Sequence, residues 1–321
     1  MRSKLDIVLM GNGFPELAGM IRRSGHRLVG MVQTHRLMNS WGNCRKMRYR
    51  MRITYSRVRR SPSSWETIAR QNRLPYLRTF DVKSPSMADW VRDRSPDLLV
   101  VYAAPLLPAH IFSLPPLGSV NIHPALLPSY RGPNPFFWMA YDMELNPGVT
   151  VHYIDAGMDT GDILAAGTYR LWPGRNWRDS RSELVQLTEA LLMPLMNGVA
   201  RGSALRRPQP ETSPTPPARL VSNSDYEALL ERTSWTPIRL WHFLRCTENW
   251  LNRRLNPESS LLSHGWVWSV GSYHPPSAVD EKDIRLVRKD GTYFLAFPQC
   301  RLRLFRRFDI RVWGQKILFG V

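Results

Sequence analysis

The stretch Leu5–Thr34, LDIVLMGNGFPELAGMIRRSGHRLVGMVQT, reads as strand, helix and strand in turn. Leu5 to Gly13 is a continuous apolar run closed by a glycine turn, the pattern of a strand buried on both faces of a parallel sheet. Leu17, Met20 and Ile21 then recur at helical spacing, and Gly25 suits a helix C-terminus. HRLVGMVQT is the second strand. This β-α-β opening sets the expectation of an α/β fold. The turn Gly11-Asn12-Gly13 invites a dinucleotide reading, but Glu16 holds the third glycine position and would bring a negative charge to a pyrophosphate. The turn is therefore read as structural, or as lining for an acceptor site.

Further along, SWETIARQNRLP and SMADWVRDRSP carry helix patterns, the second stopped by Pro96. DLLVVYAA (97–104) is apolar throughout and reads as a buried strand, followed by the strand SVNIH (119–123). GVTVHYIDAG (148–157) alternates like a strand and DILAAGTYRL completes a hairpin-like pair. SELVQLTEALLMPLMNGVARG reads as a long helix on the sheet. Residues 206–217 hold five prolines in twelve positions, the composition of a stiff linker. Beyond them come an amphipathic helix, PIRLWHFLRCTENWLNRRL, and the strand-like runs GWVWSV, IRLVR, TYFLAF, RLRLF and VWGQKILFG. KDG at 289–291 is a hairpin signal. The expected layout is a domain over 1–205, a linker over 206–220, and a smaller C-terminal, mostly-β domain over 221–321.

The chain has 321 residues, 43% of them hydrophobic, so a packed core is expected and wholesale disorder is not. The net charge of +18 suits a polyanionic partner, RNA or a phosphorylated small molecule, although an arginine-rich composition alone also produces it. Residues 36–60 hold nine Lys/Arg and no acid, half of that net charge, with Trp, Tyr and Met interleaved. Such a segment neutralises phosphates and stacks on bases, or stands as a solvated insertion. The three cysteines, Cys44, Cys246 and Cys300, are too scattered for a zinc pattern or a disulfide framework, which favours a reducing, cytoplasmic setting. There is no run of 18 apolar residues, so no membrane span is expected, and the first residues read as structure rather than a signal peptide.

Two polar clusters interrupt the apolar strands. Asn121 and His123 share one face at the end of SVNIH, followed by a loop with Pro124, Pro128, Pro133 and Pro135. DAGMDTGD then carries Asp155, Asp159 and Asp162 among Gly157 and Gly161, which let the backbone bend a carboxylate back toward the strand ends. In open α/β sheets, sites form outside the carboxyl ends of the strands. An amide donor, an imidazole and a carboxylate brought together there suit acyl transfer to an amine. A structural histidine and a plain acidic turn are the alternatives at these positions. A metal site would need His152 as a further ligand, and alternation is expected to turn it away from His123, so no metal is expected.

NIHPALLPSYRG followed by GMDTGDIL resembles the formyltetrahydrofolate-dependent formyltransferases over roughly residues 5 to 200. That family includes methionyl-tRNA, glycinamide ribonucleotide and amino-sugar N-formyltransferases. The resemblance implies a Rossmann-like formyltransferase domain, 10-formyltetrahydrofolate as formyl donor, and Asn121, His123 and Asp159 as the catalytic trio. It implies folate contacts along Val101, Tyr102, Ala103 and Leu106, along Ala125, Leu126, Leu127 and Pro128, and along Ile154, Asp155, Ala156 and Gly157. The proline-rich loop would then hold the backbone rigid beside the folate.

The acceptor is less determined. RGPNP followed by Phe136, Phe137 and Trp138 departs from the RGAAP usual in the tRNA enzymes and is closer to members that act on small amines. Length, two-domain layout and the basic segment 36–60 are similar to the tRNA enzymes, with Arg45, Lys46, Arg48 and Arg50 as acceptor contacts. Methionyl-tRNA is the preferred acceptor on these grounds. A nucleotide-linked amino-sugar is the alternative, with a formyltetrahydrofolate hydrolase and a non-catalytic RNA-binding protein as readings from other classes. The oligomeric state is not encoded in any feature above.

Overall fold

The computed structural model describes residues 3–35, 65–176, 178–222, 225, 235–247, 266–275, 285–297 and 300–308. They form two compact units: 1–135 with 146–169 and 182–218, and 136–145 with 170–181 and 219–321. No helix among the described residues is long and apolar enough to cross a membrane.

The first unit is built on a seven-stranded sheet of β1 (Asp6–Gly11), β2 (Arg27–Thr34), β3 (Tyr76–Thr79), β4 (Leu98–Tyr102), β5 (Ser119–His123), β6 (Gly148–Tyr153) and β7 (Ile163–Thr168). Its spatial order is β3-β2-β1-β4-β5-β6-β7. The first five strands run parallel, while β6 is antiparallel to β5 and β7 to β6. Reversal of order between β1 and β4 is the doubly wound, Rossmann-like arrangement. The helices are α1 (Glu16–Arg23), α2 (Trp65–Gln71), α3 (Pro85–Arg92), α4 (Ala109–Phe112) and α6 (Arg181–Arg201), with α5 (Pro135–Asp142) leading into the second unit.

The apolar runs become strands because both faces are covered. β4 is buried at all five positions, as its uninterrupted hydrophobicity anticipates. One face of the sheet presents Val8, Met10, Val32, Leu99 and Val101 to Met87, Ala88 and Val91 of α3 and to Leu107 and Ile111. The turn after β1 is a backbone-on-backbone contact. Asn12 N donates to the Tyr102 carbonyl at 3.0 Å, and a Cβ on Gly11 would lie 1.8 Å from the same oxygen. Glycine is required there to seat β1 against the end of β4, which accounts for the turn without a nucleotide.

The proline-rich segment expected as a linker is tied to the first unit. Arg207 bridges Ile163, Ser213 Oγ donates to the Pro128 carbonyl at 2.8 Å, and Tyr130 N donates to Thr215 Oγ1 at 2.6 Å. Ala218 N reaches the Arg131 carbonyl at 2.7 Å, and the first unit extends to Ala218. Residues 136–145 and 170–181 in turn belong to the second unit. Prolines already rigid in sequence cost little entropy to pin, so the segment can lie along the first unit.

The second unit combines α5 and α7 (Pro237–Cys246) with a four-stranded antiparallel sheet, order β8-β11-β10-β9, of β8 (Trp266–His274), β9 (Arg285–Lys289), β10 (Thr292–Phe297) and β11 (Cys300–Phe308). Thr236 caps α7 by accepting from Arg239 N, and Pro237 opens the helix. The expected continuation of this helix to Leu255 and the run VWGQKILFG lie outside the described residues. Asp290 and Gly291 both have positive φ, as the two-residue turn joining β9 to β10 demands. The core joins Trp235, Leu240, Phe243 and Leu244 to Trp268, Val270, Leu295, Phe297, Leu302 and Leu304. Phe243 meets Phe137, Tyr141 and Trp235 edge-on, with ring centroids 5.6, 6.1 and 5.5 Å away. Phe243→Ala is expected to lower the stability of this unit by about 3–5 kcal/mol, read from its denaturant midpoint.

Candidate active site

The site is assembled on one face of β5. Asn121 and His123 lie two residues apart on that strand and so share a face. Antiparallel β6 places His152 directly opposite Asn121 and Thr150 directly opposite His123. Residues directly opposite across an antiparallel pair share a face. His152 therefore joins the site, contrary to the expectation that alternation would turn it away. Alternation along its own strand could not decide the matter, because it says nothing about register with the neighbour. Thr150 anchors the loop that follows β5: its Oγ1 donates to the Ala125 carbonyl at 2.8 Å and accepts from Leu127 N at 3.0 Å.

The loop after β6 returns a carboxylate to this face. Asp159 Oδ2 accepts from Gly132 N at 2.8 Å and lies 3.6 Å from His123 Nδ1. Its Oδ1 is 3.3 Å from Asn121 Nδ2 and 3.5 Å from His152 Nε2. The structure thus brings Asn121, His123 and Asp159 together and adds His152 and the Gly132 N–H. Gly132 has φ +130, and a Cβ there would sit 2.8 Å from the Ala218 carbonyl oxygen. Only glycine lets this N–H reach the carboxylate with the 218 backbone so close behind it.

Proton positions follow from the carbonyls, which can only accept. His123 Nε2 donates to the Tyr130 carbonyl at 3.0 Å, leaving Nδ1 toward Asp159. His152 Nδ1 donates to the Tyr153 carbonyl at 2.8 Å, leaving Nε2 3.1 Å from Asn121 Nδ2. A neutral His152 ring then accepts from the Asn121 amide, which fixes the sense of that amide; a protonated ring donates to Asp159 instead. Burial pushes the His123 imidazole below its usual value, and Asp159 opposes the shift without reversing it. For Asp159, burial is the largest single influence and raises its pKa. It is outweighed together by the hydrogen bond from His152, the charges of both imidazoles and the Gly132 N–H, which hold the carboxyl at about 2. At neutral pH an ionised carboxylate faces a neutral imidazole and an amide.

The other acids of DAGMDTGD do different work. Asp155 Oδ1 accepts from Gly157 N at 3.0 Å and Thr160 Oγ1 at 2.7 Å, closing the turn, while the Asp162 carbonyl accepts from Tyr153 N at 2.9 Å. Of the residues expected along the folate, Val101 is the register partner of Asn121, and Val101 and Tyr102 are buried. Ala103 has φ +51 and is exposed, as is Leu106. Ala125 and Leu127 are buried, Leu126 is exposed, and a cis peptide joins Leu127 to Pro128. Ile154 and Asp155 are half-buried, and Ala156 and Gly157 are exposed. Near the amino end of β5 lies a cavity of about 520 Å³ lined by Phe112, Pro115, Leu117, Ser119, Tyr153 and Ile154 among others. The expected acceptor contacts Arg45, Lys46, Arg48 and Arg50 lie outside the described residues.

Residues 56–192 match the family of formyl transferases. A methionyl-tRNA formyltransferase of Syntrophus aciditrophicus (strain SB) is 36% identical over 141 residues, 44% of this chain and 45% of that protein. One from Acetivibrio thermocellus is 29% identical over 213 residues, 63% of this chain and 68% of that protein. The chain thus spans less than half the length of the first of these relatives. Among solved structures, WlaRD, a sugar 3N-formyl transferase, superposes with a TM-score of 0.56 at 13% identity, covering 94% of this chain and 97% of that one. HypX from Aquifex aeolicus, in complex with tetrahydrofolic acid, superposes with a TM-score of 0.54 at 15% identity, covering 99% of this chain and 48% of that one. These likenesses establish the fold.

The electrostatics of the site are open to direct test. Asp159 raises the His123 pKa, so Asp159→Asn is expected to move the His123 midpoint further below 6.5 in a histidine NMR titration. The ionised Asp159 also stabilises the folded state. Its pKa is depressed, so that contribution is full above the unfolded value near 3.8 and is lost as pH falls toward about 2. The stability difference between wild type and Asp159→Asn is expected to shrink over that window.

Proposed function

We infer that this chain, whose residues 56–192 fall in the formyl transferase family, moves a formyl group from 10-formyltetrahydrofolate to an amine. The observation that carries this reading is the buried cluster in which an ionised Asp159 faces His123 and Asn121. The amine nitrogen attacks the formyl carbon, and the carbonyl oxygen gains negative charge. The Asn121 amide stabilises that oxygen; of its two hydrogen bonds the longer, 3.3 Å to Asp159, is the one the developing oxyanion takes over. His123 and Asp159 accept the proton the amine must lose, and it ends on the folate nitrogen as the C–N bond to the formyl group breaks. Val101, the register partner of Asn121 on β4, is the apolar donor-side residue adjoining the trio in this reading. The expected contacts along 101–106, 125–128 and 154–157 remain the donor side of this reading.

For the acceptor, the reading is methionyl-tRNA. Two observations support it: similarity to methionyl-tRNA formyltransferases and the nine cations without an acid in residues 36–60. The second reading is a nucleotide-linked amino-sugar, favoured by Pro133-Asn134-Pro135 and the aromatics after it. A cytoplasmic setting is part of this reading, supported by the three scattered cysteines.

The test is formyl transfer from 10-formyltetrahydrofolate to a panel of amines, read by mass. His123→Ala and Asp159→Ala are each expected to lose about 10²–10³ of the rate while staying folded. Near-normal turnover of His123→Ala at saturating donor would overturn its role. Formyl release without any acceptor would point to hydrolysis instead. If tRNA is the acceptor, its affinity falls with salt at a log–log slope of roughly −0.7 to −0.9 per phosphate contacted. Replacing Arg45, Lys46, Arg48 and Arg50 by Gln is expected to flatten that slope and raise the KM for tRNA. An equal slope in both proteins removes tRNA and favours the small amine.

A further inference from the structure

Gln209 lies in the proline-rich segment that the sequence presents as a linker, and its one side-chain amide joins two loops of the site. Its Nε2 donates to the main-chain carbonyls of Asp159 at 3.0 Å and Gly161 at 2.7 Å. Its Oε1 accepts from Arg131 Nη2 at 2.8 Å and Nε at 3.2 Å. Arg131 is buried and is itself held by the carbonyls of Pro210 and Glu211 at 2.8 and 3.0 Å. All of these residues belong to the first unit.

The backbone they hold is a strained one. Asp159 has φ +56, a left-handed conformation that a non-glycine residue keeps only where its surroundings over-determine it. One nitrogen ties the carbonyls on either side of Thr160, so the peptide planes flanking the turn cannot rotate independently. From the other direction Gly132, next to Arg131 in sequence, binds the carboxylate itself. Main chain and side chain of Asp159 are thus fixed by neighbouring anchors.

We propose that Gln209, oriented by Arg131, is the positioning residue that sets the Asp159 carboxylate against His123 and Asn121. The position requires an amide. The guanidinium fork needs an acceptor and the two carbonyls need a donor, and glutamine presents both in one plane. Glutamate would set a carboxylate against two carbonyl oxygens, and methionine offers neither partner at nearly the same volume. The other ties of the segment, at Arg207, Ser213, Thr215 and Ala218, do not involve this side chain.

The experiment compares the full chain with Gln209→Met and Gln209→Glu by thermal unfolding, by histidine NMR titration of His123, and by steady-state formyl transfer. The rate measurement rests on the function proposed above; the titration does not. In the folded variants the His123 midpoint is expected to drop below the wild-type value, because the carboxylate that raises it has moved away. The kcat is expected to fall by about tenfold to a hundredfold, with the donor KM within about twofold of wild type. Should Gln209→Met not fold, Gln209→Asn, which keeps the amide on a shorter stem, carries the same comparison. An unmoved His123 midpoint in a folded variant overturns the proposal, whatever happens to the rate. If the wild type transfers formyl to no amine, the catalytic reading fails while the titration still decides whether Gln209 places Asp159.

Discussion

The antiparallel pairing of β5 with β6 is the constraint on which the site depends. Reversing β6 sets His152 and Thr150 opposite Asn121 and His123 on the same face. Thr150 then fixes the proline-rich loop, and His152 fixes the sense of the Asn121 amide. The loop that follows β6 returns Asp159 to that face, beside His123 and Asn121.

Burial alone would defeat such a cluster. It pushes His123 toward neutrality and Asp159 in the same direction, and a neutral carboxyl would have no pull on an amine proton. Both imidazoles and the Gly132 N–H offset burial at Asp159 while burial still wins at His123. The result is one ionised and one neutral group held in contact, the division of labour that acid–base chemistry at neutral pH requires. The geometry that maintains it is not local: Gly132, Arg131 and Gln209 come from two segments far apart in sequence and converge on one turn.

The second unit is stabilised by different means. Its sheet and α7 close on a core dense in aromatic rings, with Trp235, Phe243 and Trp268 at its centre. Arginines lie over several of these rings, Arg239 on Trp235 at 4.4 Å and Arg306 on Tyr293 at 5.0 Å. Some of the positive charge counted along the sequence thus lies over aromatic rings within the unit.

Much of the first unit is legible from sequence because its signals are local. Continuous apolar runs between glycine turns identify parallel strands whatever surrounds them, and β1, β4 and β5 appear where Leu5–Gly13, Asp97–Ala104 and Ser119–His123 place them. The grouping of Asn121 and His123 with a carboxylate of DAGMDTGD is also foreshadowed by residue type and by the glycines there, while the choice of Asp159 among the three comes from the family resemblance. His152, Gly132 and Gln209 are not foreshadowed, for a common reason. Each matters through what lies opposite it across a strand pair or a loop, and register between segments leaves no periodic trace in either one. The prolines of 206–217 describe a stiff chain but not what that chain lies against. The sequence by itself determined the strands, the turns and the chemistry available at their ends. The tertiary structure alone decided which face His152 takes and which backbone carbonyls Gln209 holds, because pairing register and long-range hydrogen bonds are settled by packing, not by the order of residues along one strand.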